Sequence, residues 1–269
     1  MISSVHNPLV LRARRLHKRS GRARTAEFLV EGAHGIGEAL AAGTPLAALF
    51  VLAAGEGEGE GAEAGAGLGE AAAAAGVPVH KVSAAVMAAL SATEQPPGAV
   101  AIAPFVDVPA PTLLEDGGDL FVVLDQVRDP GNLGTVLRAA WAAGAAGVFL
   151  SGATVDLYNA KVVRASAGAL FRVPVAREVA IPWILAELGA RKIRRIAADP
   201  AGQVPYEAVP MVGPCALVFG NEAWGLPPEV LAAVDDRASI PMRAAAESLN
   251  VGVSAAVFLF EAGRQRREQ

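Results

Sequence analysis

The stretch Asp125–Ala145, DQVRDPGNLGTVLRAAWAAGA, decides how the chain is read. It follows the apolar run 121–124 and enters Asp129-Pro130-Gly131-Asn132, which is turn chemistry. Asn132 reads as the N-cap of the helix that follows. Leu133, Leu137, Ala140, Trp141 and Gly144 trace that helix's packed stripe at helical spacing. Arg138 lies beside the stripe, on the side of Gly134 and Thr135. Helical side chains lean toward the N-terminus, and the rise from Asn132 to Arg138 is roughly 9 Å. The guanidinium is therefore expected to reach back toward the carboxyl end of the preceding strand. Open parallel sheets bind ligands at that edge, so Arg138 reads as an anion clamp near exposed helix N–H groups.

Two further stretches repeat the combination of buried strand or helix head with unusual polar residues. CALVFGNEAWGLPPE (215–229) sets Gly220, Asn221 and Glu222 directly after a strand. IPMRAAAESLNVGVSAAVFLFEAG (240–263) sets Ser248 and Asn250 at the head of the last helix. Each is explicable alone as a turn or a cap. Three such ends in one region are less easily accidental.

Around these stretches, strands are expected at 121–125, 147–152, 193–199, 215–220 and 238–242. Helices are expected at 133–143, 160–171, 181–190 and about 248–264. Near-continuous apolar strands between helices imply a mostly parallel α/β sheet covered on both faces. The N-terminal part alternates in the same way, with strands at 28–32, 46–53 and 98–105 and one basic helix over 7–24. That pattern suggests a small α/β domain at 1–106, a Pro/Gly/Asp-rich linker at 107–119 and a second domain at 120–269. Within the first, 53–76 is a glutamate-glycine insert expected to be a mobile low-complexity loop.

The chain has 269 residues and a formal charge of -4. The insert carries Glu56, Glu58, Glu60, Glu63 and Glu70 with no base, and without it the balance is +1. Arg12, Arg14, Arg15, Lys18, Arg19, Arg22 and Arg24 stand together with no acid before Glu27. Such a run is often just a solvated helix face, but uncompensated cations repel one another and an anionic partner relieves them. Arg12, Arg14, Arg15, Lys18, Arg22 and Arg24 are the candidate RNA contacts. Cys215 is the sole cysteine, so a reducing compartment is expected. No signal-peptide core or membrane-length apolar run occurs, which points to a soluble cytoplasmic protein with no membrane partner. His6, His17, His34 and His80 lack metal-site spacing, so no metal is expected. EGAHGIG (31–37) fails the spacing of a dinucleotide-binding glycine turn.

NLGTVLRAA after DPG, LVFGNEAWGLP and IPM…ESLNVGVSAAVFLFE together resemble, in order and spacing, the three motifs of the SpoU (TrmH-type) class of SPOUT methyltransferases. RASAGALFRVPV (164–175) resembles the same family between its first two motifs. The likeness covers roughly 120–265, while NPLV…FLVEGAHGIGEAL resembles the ribosomal-protein-like RNA-binding domain that often precedes it. The glutamate-glycine insert departs from the family pattern and lies away from every motif.

The resemblance implies 2′-O-methylation of a ribose in RNA by S-adenosyl-L-methionine, a C-terminal trefoil knot and a homodimer through the second domain. Knots are rare exceptions to ordinary chain topology. Carried over by position, the catalytic residues are Asn132, Arg138, Glu222, Ser248 and Asn250. The methyl-donor pocket falls on Phe219, Gly220, Asn221, Ile240, Met242 and Leu249. Glu222 is expected to order Arg138 or the knot loops. The extra N-terminal domain tilts the substrate to ribosomal RNA over tRNA. A non-catalytic RNA-binding protein of the same fold and a nucleotide-dependent oxidoreductase are the rival readings; intact motifs weigh against the first, the missing glycine fingerprint against the second.

Overall fold

The computed structural model describes residues 1–56, 60–243 and 248–268. They form two compact units, Met1–Val106 with Tyr158–Phe171, and Asp107–Leu157 with Arg172–Gln269.

The first unit opens with α1 (Pro8–Arg15) and α2 (Arg19–Thr25), two helices where one was expected. Asn7 caps α1 by accepting from the Leu9 N–H, and Pro8 supplies a preset first turn. The N–H groups of Leu16, His17 and Lys18 close the last carbonyls of α1, and a side chain takes the two carbonyls that follow the helix. Arg22 Nη1 donates to Leu16 O at 2.8 Å and to His17 O at 3.0 Å. Gly21 makes the return possible, since a Cβ there would lie 2.0 Å from the Arg15 carbonyl oxygen.

There follow β1 (Glu27–Glu31), α3 (Ala33–Ala41), β2 (Ala48–Leu52), α4 (Glu60–Ala74), β3 (Val79–Val82), α5 (Ala84–Leu90) and β4 (Ala99–Pro104). The sheet order is β1-β4-β2-β3, parallel only between β2 and β3. Its core joins Phe50, Val100 and Ile102 to Val10, Leu16 and Met87. The expected mobile loop is corrected here, because α4 runs through most of 53–76 and packs on β2. Alanine's helix propensity outweighs the glycines' cost. Ala72 is buried, and Gly69 faces Val51 and Val79 at a distance that would also admit a methyl group.

The second unit contains α6 (Ala110–Glu115), β5 (Leu120–Leu124), α7 (Pro130–Ala142), β6 (Gly147–Ser151), β7 (Val175–Val179), α9 (Ile181–Ala190), β8 (Arg194–Ala198), β9 (Val204–Pro205), β10 (Cys215–Phe219), α10 (Pro228–Ala232), β11 (Asp236–Ser239) and α11 (Val251–Arg267). Between β6 and β7 lies α8 (Ala160–Ala165). The sheet is seven-stranded, in the order β7-β6-β5-β10-β8-β11-β9, with every pairing parallel. β5, β6 and β10 are buried throughout, as strands covered on both faces must be.

Two boundaries differ from expectation. Residues 107–119 are no loose linker, since α6 buries Leu113 and Leu114 in the core of the second unit and Val108 N–H bonds Val175 O at 2.9 Å. Residues 158–171, expected within the second domain, cluster with the first. Tyr158 stacks on Phe105 with centroids 3.9 Å apart, and its hydroxyl accepts from the Val106 N–H at 2.8 Å. The single helix expected over 160–171 stops at Ala165, because Ala167 (φ 45°) and Gly168 (φ 85°) reverse the chain.

Candidate active site and nucleic-acid surface

β5 and β10 lie side by side at the centre of the parallel sheet, so the loops leaving their carboxyl ends meet. Asp125 N–H donates to Phe219 O at 2.9 Å. Gln126 then adopts a left-handed φ of 58°, a costly conformation for a non-glycine residue. Two bonds hold it there: its N–H donates to Ser151 Oγ at 2.9 Å, and its carbonyl accepts from Asn221 Nδ2 at 2.7 Å. Burial pushes the Asp125 carboxyl above its ordinary range, opposed by hydrogen bonds from Ser151 and Gln126.

α7 is capped by Asp129, whose Oδ1 accepts from the Asn132 N–H at 2.9 Å, with Pro130 in the first turn. Asn132 is thus not the cap, and its amide is released for other work. Its Nδ2 donates to Glu222 Oε1 at 3.0 Å. Its Oδ1 accepts from Asn250 Nδ2 at 2.7 Å. Asn250 is the N-cap of α11, accepting from the N–H groups of Gly252 and Val253 at 2.9 and 3.2 Å. Glu222 also accepts from the backbone N–H groups of Arg128 and Asp129, at 3.0–3.2 Å. An acceptor-only carboxylate at one end and helix N–H groups at the other fix both amide orientations. Partial burial works to raise the Glu222 carboxyl, but the bonds from Asn132, Asp129, its own amide and Arg128 outweigh it and hold it below its ordinary value.

The chain Asn250–Asn132–Glu222 therefore ties the three sequence motifs into one cluster. Arg138 and Ser248 stay outside it. Arg138 is exposed on α7 and makes no hydrogen bond or ion pair among the described residues. Glu222 orders the 125–129 loop rather than Arg138, correcting the first form of that expectation. Trp141, expected in the packed stripe, is exposed, whereas Val136 and Ala139 are buried.

Beside the cluster lies a cleft of about 590 Å³. Phe219, Gly220, Asn221, Ile240, Met242 and Leu249 all line it, as does Ser248. Residues 244–247 lie outside the described residues. One wall is backbone folded on itself: Asn221 and Gly225 exchange N–H···O bonds of 3.0 and 2.9 Å, with Gly225 at φ 70°. A Cβ on Gly220 would stand 2.4 Å from the Gly225 carbonyl, so only glycine closes this turn. Asp199 in the cleft is neutralised by Arg237, whose Nε donates to it at 2.8 Å. Apolar side chains interrupted by main-chain polar groups fit an adenosyl donor. Among the described residues no cluster of His, Cys, Asp or Glu is arranged to hold a metal ion.

In the first unit a cleft of about 1050 Å³ is lined by Arg14, Arg15, Lys18 and Arg24, with His17 and Ser91. Burial holds the His17 imidazole below its ordinary value, against the pull of Glu31, so the arginines and lysine supply the positive charge. Two expected RNA contacts are otherwise engaged. Arg12 is salt-bridged to Glu27. Arg22 is 6% exposed and takes the two carbonyls that follow α1. Asp129, Arg128 and Trp224 were missed from the sequence; Asp-Pro at a helix start was the available signal for the first.

The SpoU rRNA Methylase family model matches residues 119–260, and an MRM3-like substrate binding domain matches residues 7–101. The Bacillus subtilis 23S rRNA (guanosine(2553)-2′-O)-methyltransferase RlmP is 30% identical over 259 residues, covering 96% of this chain and 97% of its own. An AdoMet-bound rRNA methyltransferase from Sinorhizobium meliloti superposes with a TM-score of 0.83 at 32% identity, over 98% and 97% of the two chains. The SpoU methyltransferase AviRb from Streptomyces viridochromogenes, in complex with AdoMet, gives 0.85 at 29% identity, over 97% and 99%. With its motifs clasped beside the cleft, and with half of its length matched by that model, this chain belongs to the SpoU rRNA methylase family.

Proposed function

We propose that this chain methylates a ribose 2′-hydroxyl in RNA, using S-adenosyl-L-methionine, and that the RNA is ribosomal rather than transfer RNA. The observation that carries the reading is the Asn250–Asn132–Glu222 chain, set beside a cleft lined by all six expected donor-pocket residues. S-adenosyl-L-methionine supplies, when bound, an electrophilic methyl on a sulfonium. The protein's task is to place a weak nucleophile in line with it, and positioning of that kind is worth several orders of magnitude.

Arg138 is the exposed cation on the helix that carries Asn132, and among the described residues no acid pairs with it. It binds the phosphate beside the target ribose and orients the 2′-hydroxyl. A guanidinium holds its protons too tightly to accept another, so the proton passes to phosphate or water. Asn132 and Asn250 complete the cradle, Glu222 fixes the loop before α7, and Ser248 lies at the cleft.

Arg14, Arg15, Lys18 and Arg24 hold the RNA backbone at the first unit's cleft. The ribosomal preference rests on relatives named for rRNA that match this chain over both units. The active form is a homodimer: α11 leaves Val253 and Phe260 about half exposed at i, i+7, and α7 does the same with Trp141. Exposed apolar stripes of that kind mark interfaces. The return of 248–250 to the head of α7 supports a knotted path. A single, buried cysteine accords with action in the cytoplasm.

The test is release of adenosylhomocysteine when the protein meets S-adenosyl-L-methionine with unmodified ribosomal RNA or with bulk tRNA. Turnover on ribosomal RNA is expected. Turnover on tRNA alone, or on neither, refutes the reading.

A further inference from the structure

Trp224 stands at the tip of the turn that walls the donor cleft, yet its indole is 56% exposed. Exposure alone assigns a single aromatic ring no role, so its fixed neighbours decide the reading. The guanidinium of Arg128, from the loop before α7, lies over this ring at 5.3 Å from its centroid. Among the described residues the Arg128 guanidinium has no hydrogen-bond or carboxylate partner, and the ring is what it lies over.

Both members are fixed from behind. The 221–225 turn is closed by the reciprocal Asn221–Gly225 bonds, and Asn221 Nδ2 reaches Gln126 O. Glu222 accepts the Arg128 N–H, so the residue that holds the loop also sets where the guanidinium begins. A ring held in place, partly uncovered and backed by a cation is a surface for another flat π-system near a phosphate. In a protein that acts on RNA, that π-system is a base, stacked beside the ribose being modified.

We propose that Trp224, backed by Arg128, is a stacking platform for the base of the target nucleotide or its neighbour. This rests on the reading that RNA is the substrate. The ring binds through the face that every base offers, and so supplies affinity and orientation. The arginine carries positive charge to the adjoining phosphate.

The experiment uses the full chain with S-adenosyl-L-methionine and in-vitro-transcribed 23S ribosomal RNA. Indole fluorescence is titrated with RNA in the wild type and in Trp224→Phe and Trp224→Ala, a readout that needs no turnover. Quenching that requires Trp224 is expected. In turnover, Trp224→Ala should lose about 5- to 100-fold in kcat/KM for RNA, mostly through KM, the range that one stacked base accounts for. Trp224→Phe should recover most of it, and Arg128→Ala should fall between. Affinity for S-adenosyl-L-methionine should be unchanged in all three. Loss of donor affinity parallel to the loss of activity would place the ring in the donor pocket and overturn the proposal, as would RNA-induced quenching that survives in Trp224→Phe. Quenching that depends on Trp224 without any methyl transfer would leave the platform standing and refute the proposed reaction instead.

Discussion

Asn250 Nδ2 donates to Asn132 Oδ1 across 2.7 Å, joining side chains that lie 118 residues apart in sequence. The bond ties the N-cap of α11 to the first turn of α7, and the other end of the Asn132 amide is held by Glu222. Removing the middle of this chain leaves both ends without their partner. Asn132→Ala is expected to cost about 1–3 kcal/mol in unfolding free energy, the usual penalty for an unsatisfied buried group. Methylation should fall far more than stability does. Thermal unfolding beside single-turnover rates checks both.

The lowered pKa of Glu222 has a definite sign. A carboxyl depressed on folding stabilises the protein fully above its unfolded value and stops doing so as pH falls through its folded value. The wild type should therefore be more stable than Glu222→Gln near neutrality. The difference should shrink in acid, below the ordinary carboxylate range, where the wild-type group also becomes a neutral acid. Denaturant titrations of both proteins across that range check it, and a gap that widens in acid contradicts it.

Arg138 makes no hydrogen bond or ion pair among the described residues, so its removal should leave the fold and donor binding intact. Arg138→Ala is expected to cut methylation by about 100-fold or more, the scale of lost positioning. Calorimetric affinity for S-adenosyl-L-methionine should stay near wild type.

Gly220→Ala tests the donor cleft from the other direction. The new Cβ would meet backbone atoms of Gly225 and Leu226 at 2.4 and 2.6 Å, which no side-chain rotation relieves. The turn must open, and donor affinity should fall by about 10-fold or more, equivalent to roughly 1.4 kcal/mol. Equilibrium binding of S-adenosyl-L-methionine reads the effect directly.

The basic N-terminal residues divide into two classes. Neutralising Arg14, Arg15 and Lys18 together should weaken RNA binding and reduce the salt slope by up to about 2–3. Arg22→Ala should instead lower stability by about 1–3 kcal/mol with the slope kept, because it strips the buried Leu16 carbonyl, and the part-buried His17 carbonyl, of a donor. Salt-dependent RNA titrations paired with thermal melts separate the two.

The parallel sheet was legible because β5, β6 and β10 are continuous apolar runs followed by Gly or Asp, and the carboxyl ends of β5 and β10 carry two of the motifs. The site was legible as a set of residue types, but not as a network. Asn132 looked like a cap because capping and amide bridging favour the same residue; Asp129, one step before proline, was the better cap. Arg22 looked like its basic neighbours, since composition does not reveal which guanidinium folds inward onto a helix end. The α4 helix was hidden by its glycines, which read as loop until β2 provides a surface for small residues to pack on. Tyr158 returns to the first unit through a stacking contact with Phe105, a long-range pairing that no local pattern carries.

The account is tested most directly by mapping ribose methylation, nucleotide by nucleotide, on ribosomal RNA taken from cells that lack this protein and then treated with it and S-adenosyl-L-methionine. It predicts one nucleotide newly methylated on its 2′-oxygen by the wild type, and left unmethylated by Arg138→Ala. A methyl group found on a base, or a mark that Arg138→Ala installs as well as the wild type, would contradict it.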